Sequence, residues 1–158
     1  EFELRARERG VVVELVPPSG PCWGRGDPDA VARVVRILLD NALRYGPPDE
    51  PVRVVAGAEG DAATVSVEDR GPGVPVQERE HIFERFHRGH AAGSESGFGL
   101  GLAIGRELAV RMGGSLALVD AGPPGARFVL RLPAARSPAR EPATALRERG
   151  DPAGATRS

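Results

Sequence analysis

The stretch Ser96-Gly97-Phe98-Gly99-Leu100-Gly101-Leu102-Ala103-Ile104-Gly105 decides how this chain is read. Three glycines alternate with apolar residues, and an apolar-periodic segment follows. A Walker loop needs a lysine after its last glycine, and the chain has no lysine at all. A dinucleotide fingerprint needs a sixth-position glycine directly after a strand. Counting from Gly97 gives Leu102, counting from Gly99 gives Ile104, and a polar loop precedes both. Two readings remain. One is a tight packing turn. The other is a loose loop that presents backbone amides and a helix N-terminus to an anion.

Composition narrows the setting. The chain has 158 residues, 41% of them apolar, enough for one domain with a core. A net charge of -1 implies no nucleic-acid partner. All 21 basic residues are arginine, so any side-chain cation that meets a phosphate is a guanidinium. The lone Cys22 excludes an internal disulfide. No apolar run approaches a membrane span, and no signal-peptide pattern is present, which predicts a cytoplasmic piece.

Working outward from the glycines, residues 101–112 read as a helix that Gly113-Gly114 stops. Residues 28–45 read as the clearest helix, capped by Asp27. Val31, Val34, Val35, Leu38, Leu39 and Ala42 form its buried face, and Gly46-Pro47-Pro48 ends it. Strands are expected at 11–16, 51–57, 63–68, 115–119 and 126–132, and a short helix at 78–86. Residues 1–9 are charged and helix-like. Residues 134–158 have the composition of a disordered tail.

Two further segments weigh on the glycine question. Glu68-Asp69-Arg70-Gly71-Pro72-Gly73 sets a carboxylate at the end of an apolar strand, before two glycines. It reads either as a capped turn or as an acceptor aimed at a flat ligand, such as one with adenine's exocyclic amine. Asn41 is a poor helix-interior residue at the edge of the apolar stripe. It is either an exposed side chain or a neutral oxygen ligand for magnesium, with Arg44 nearby for phosphate.

Together these segments resemble the catalytic and ATP-binding domain of bacterial two-component sensor histidine kinases, over residues 11–133. L-L-D-N-A-L-R-Y-G resembles the asparagine box and V-E-D-R-G-P-G-V-P the first glycine box. I-F-E-R-F-H-R-G resembles the phenylalanine box and G-F-G-L-G-L-A-I the second glycine box. G-A-R-F-V-L-R-L-P resembles the closing strand. The order and intervals carry the match.

The resemblance implies an α/β sandwich of the Bergerat type: a mixed, mostly antiparallel sheet of about five strands with three helices on one face. ATP would lie between helices and a lid at 89–101. Asn41 would hold Mg, and Asp69 would bind the adenine amine beside Gly71 and Gly73. Gly97, Gly99, Leu100, Gly101 and Leu102 would form the phosphate loop and lid hinge. Arg44 and Tyr45 would reach the phosphates and the nucleotide's edge, with Arg85 and Arg88 as γ-phosphate candidates. Phe83 and Phe86 would anchor the lid.

The pattern departs in places. Ile37 stands where many members carry a second Asn and where related ATPases carry a water-activating Glu, which argues against hydrolysis as the main activity. Phe98 and Ala126 replace residues that often bear hydroxyls. His81, His87 and His90 all lack the H-[DE]-x-x-x-P context of a phosphoacceptor. The acceptor His is therefore expected on a separate dimerisation domain, with residues 1–10 as its end or a linker. A response regulator is the implied downstream partner, and the implied parent is a homodimer anchored in the inner (plasma) membrane. Rival readings are a stand-alone Ser kinase of the same superfamily and a nucleotide-binding module without catalysis.

Overall fold

Asp27 starts the first helix. Its Oδ1 accepts from the backbone N–H groups of Asp29 (2.8 Å) and Ala30 (3.3 Å), and Pro28 fills the first turn. The helix, α1, runs Pro28–Tyr45 and buries Val34, Leu38, Ala42 and Leu43, three of them on the expected face. The computed structural model describes residues 10–86, 99–120 and 124–136.

Five strands follow the expected order: β1 (Val13–Val16), β2 (Val52–Glu59), β3 (Ala62–Glu68), β4 (Ser115–Asp120) and β5 (Arg127–Pro133). The second helix, α2 (Gly101–Arg111), precedes β4. The sheet order is β1-β2-β3-β5-β4; β1 and β2 are parallel and every other pair is antiparallel. Val54, Val67, Phe128 and Leu118 lie in one cross-strand row and pack into the core with Val34, Leu38 and Ala42 of α1 and Ala109 of α2.

Alternate positions face away from the helices. There Glu14, Arg53, Glu68, Arg127 and Asp120 stand opposite one another across all five strands, with the sign of charge reversing at every step. Arg53 pairs with Glu14 at 3.4 Å and Arg127 with Glu68 at 3.1 Å. Complementary rows of this kind support one register against its neighbours.

The described residues contain two helices rather than three. The helix expected at 78–86 is a run of turns. Most of its bonds are three-residue turns, Glu78 to Pro75, His81 to Glu78 and Glu84 to His81; only Ile82 to Glu78 has helical spacing. So short a segment cannot offset the cost of helix nucleation. Ile82 and Phe83 are instead fixed by packing on the core, and the Arg79 Nε donates to the Val74 carbonyl at 2.9 Å. At the other end, hydrogen-bonded chain continues past Pro133: the Ala134 N–H donates to Asp61 O and the Ala135 N–H to Trp23 O. The helix-like reading of 1–9, the tail from 137 onward and most of the lid at 89–101 fall outside the described residues.

Leu130 is fully buried, whereas Arg53 is half exposed. Leu130→Ala is expected to cost about 2–5 kcal/mol in denaturant melts. Arg53→Gln is expected to cost about 1 kcal/mol or less, and the difference to shrink further in high salt.

Candidate functional site

Three positions on α1, Ile37, Asn41 and Tyr45, follow one another at four-residue spacing and share a stripe beside the buried face. At one end of this stripe, the Ile37 Cγ2 lies 3.3 Å from where a Cβ on Gly101 would stand. At the other end, a Cβ on Gly71 would stand 2.5 Å from the Tyr45 carbonyl oxygen. The start of α2 and the Asp69–Gly71 turn therefore flank the same stripe, and half-buried Asn41 sits between them. The stripe spans about 12 Å.

Asp69 follows β3. Its Oδ1 accepts from the Gly71 N–H at 2.8 Å, so the capped turn expected from sequence is present. Its own N–H donates to the Ala126 carbonyl at 3.0 Å. Burial raises the carboxyl pKa above the ordinary range, against hydrogen bonds to the carboxylate from the backbones of Gly71 and Ala126 that pull it down. Among the described residues no side chain pairs with it. A desolvated carboxylate held by backbone alone is a feature of binding and catalytic sites.

Gly125 is the residue that sequence reasoning undervalued. It has φ +101, and a Cβ there would run into the Asp69 carbonyl oxygen. The only signal was the small pair Gly125-Ala126 ahead of β5. Gly73, at φ 78, turns the chain away after Gly71 toward Val74, which packs on the core.

On the α2 side, Gly99 has φ 65 and Leu100 caps the helix without any side-chain hydrogen bond. The first turn contains no acidic residue. Among the described residues no side chain caps its backbone donors, the groups that solvent or an anion satisfies at a helix start. The Phe86 N–H donates to the Gly99 carbonyl at 3.0 Å, which brings the phenylalanine box to the start of α2.

The two phenylalanines differ. Phe83 packs edge-on against Phe128, with ring centroids 6.3 Å apart, and Arg106 lies over its ring at 5.4 Å. Phe86 is 72% exposed, and its backbone makes the contact with Gly99; most of the lid that it is expected to anchor lies outside the described residues.

Leu102 is half buried and packs against the core. Arg44, at the end of α1, is exposed, whereas Tyr45 is half buried. Arg85 pairs with Glu107 of α2 at 3.2 Å. Arg88 and Gly97 lie outside the described residues. His81 is exposed and bonds Glu84 at 2.9 Å, which raises its pKa. No described helix is long and apolar enough to cross a membrane. A separate groove of 540 Å³ runs beside the β4 edge between Phe83 and Arg106 and includes neither Asn41 nor Asp69.

Residues 26–136 match the family described as histidine kinase-, DNA gyrase B-, and HSP90-like ATPase. The chain belongs to this family, as a histidine kinase catalytic domain. It is 40% identical over 118 residues to the signal transduction histidine-protein kinase/phosphatase MprB of Mycobacterium tuberculosis strain H37Rv, covering 72% of this chain and 23% of that protein. The chain thus spans about a quarter of the length of such curated relatives. The solved mycobacterial sensor histidine kinase MprB superposes with a TM-score of 0.73 at 35% identity, over 84% of this chain and 90% of that one. Full-length ShkA in complex with AMPPNP gives 0.73 at 30% identity, over 86% of this chain and 29% of that one.

Asp69→Asn separates stability from binding. The folded pKa of Asp69 is raised, so its stabilising contribution is complete below the unfolded value and is lost as pH rises through the folded one. At pH 7 the ionised, desolvated group is a burden on the fold. Asn keeps the acceptor for Gly71 and drops the charge. The variant is expected to melt at or above the unaltered chain at neutral pH, and the gain to vanish in acid. Gly125→Ala, by contrast, should lower the melting temperature at every pH, because it forces the Asp69 backbone aside.

Proposed function

We propose that the domain holds ATP along the Ile37–Asn41–Tyr45 stripe, with adenine at Asp69 and phosphates at the start of α2. The observation that carries this reading is the two-ended stripe itself. A half-buried acceptor lies at one end, helix amides without a side-chain cap lie at the other, and a neutral oxygen lies between. Asp69 accepts from adenine's amine at an edge where guanine has none to give. Gly71 and Gly73 let the base approach the backbone. Gly99, Leu100, Gly101 and Leu102 offer amides to the phosphates, joined by Gly97 and Arg88. Arg44 and Arg85 supply guanidinium charge, and Tyr45 borders the nucleotide.

Magnesium fits this donor set in one way only. Among the described residues no cluster of three or more His, Cys, Asp or Glu side chains exists to hold it. Asn41 alone suits an ion that keeps most of its ligands as phosphate oxygens and waters. When bound, the ion neutralises phosphate charge. Asn41 fixes its place relative to α1.

Ile37 packs between Gly101 and Gly105 and offers no base for water. The lone domain therefore binds ATP and leaves it largely intact. The γ-phosphoryl group passes to a His on a dimerisation domain outside the matched region, and from there to an Asp of a response regulator. The parent is read as a membrane-anchored homodimer, with this domain on the cytoplasmic side.

Calorimetry tests the site. ATP and ADP are expected to bind and GTP not to bind. Asp69→Asn should weaken ATP binding by about 1–3 kcal/mol, since the amide mispairs with adenine. In a second measurement, Asn41→Ala should abolish the gain in ATP affinity that magnesium brings, while metal-free ADP binds as before. Equal ATP and GTP affinities would refute the adenine assignment, and an unchanged magnesium effect would return Asn41 to the surface.

A further inference from the structure

Arg85 is placed by its backbone at one site and by its side chain at another. The next residue, Phe86, is hydrogen-bonded to Gly99, so the Arg85 backbone lies beside the start of α2. Its guanidinium does not stay there. Nη2 reaches the Glu107 Oε2 at 3.2 Å. Glu107 is six residues into α2, roughly 9 Å along the helix axis from Gly101. The charge is therefore drawn away from the helix N-terminus and toward the opposite end.

The pair is built to exchange. Arg85 is 70% exposed, so its side chain can swing without unpacking the core. Glu107 has a second partner: the Arg111 Nη2 donates to its Oε1 at 2.6 Å, at the four-residue helical spacing. When Arg85 leaves, Arg111 still neutralises the carboxylate. The neighbouring Arg106 is committed to the Phe83 ring.

Resting on the nucleotide site proposed above, we infer that Glu107 is a positioning residue that parks Arg85 in the nucleotide-free state. A terminal phosphate at the start of α2 competes with Glu107 for the same guanidinium. A diphosphate lacks the terminal phosphate that would recruit it. Glu107 thus sets how strongly the site prefers triphosphate over diphosphate, and Arg111 tunes Glu107. An exposed ion pair is a weak restraint, so the exchange shifts affinity modestly and is open to salt.

Calorimetry on the 158-residue chain, with a non-hydrolysable ATP analogue and with ADP, tests this. Glu107→Gln is expected to tighten the analogue roughly two- to fivefold and to leave ADP unchanged. Arg111→Gln gives Glu107 wholly to Arg85 and should move the analogue-to-ADP ratio the other way. In an Arg85→Ala background both effects should disappear. An unchanged ratio in Glu107→Gln, an equal shift for both nucleotides, or a shift that persists without Arg85 would each overturn the inference while leaving the nucleotide site standing. Failure of the unaltered chain to bind either nucleotide would remove the site itself.

Discussion

Everything at the site depends on how α1 is rolled against the sheet. Burial of Val34, Leu38 and Ala42 fixes that rotation. Once it is fixed, Ile37, Asn41 and Tyr45 face the gap between the Asp69 turn and the start of α2. Neither neighbour has freedom to adjust. Gly71 already lies against the Tyr45 carbonyl, and Gly125 against the Asp69 carbonyl. The Asp69 backbone is thus clamped between the end of α1 and the entry to β5. A side chain on either glycine would push the carboxylate out of line, so both glycines serve the placement of Asp69.

This arrangement works against stability where function needs it. A carboxylate without a cationic partner is held half out of water, at a cost that an amide would avoid. The start of α2 is left without a side-chain cap. Among the described residues, neither group has a side-chain partner. The surrounding core carries these liabilities, with Leu130, Leu38 and Val34 almost wholly buried beneath them.

The fold was largely legible because its main signals are local. The Asp27-Pro28 start and the three-four spacing up to Ala42 define α1, and alternation with turn residues defines the strands. Asn41 and Asp69 stood out because each is an awkward residue for its element. The misses came where tertiary contacts decide. A short helix was expected at 78–86, but packing of Phe83 on Phe128 and of Ile82 on the core holds the segment in successive turns. Gly125 and Glu107 were invisible for the same reason: one matters through a distant carbonyl, the other through an arginine 22 residues away.

Ile37 ties the chemistry to the packing. In the resemblance it marked a missing hydrolytic base, an argument from absence. In the structure it has a positive role: its methyl groups lie against Gly101 and Gly105 and set the distance between α1 and α2. A carboxylate in its place would meet the α2 backbone at the same close approach and lose part of its hydration there. On the proposed nucleotide reading, the side chain that offers water no base is the same one that packs the two helices together.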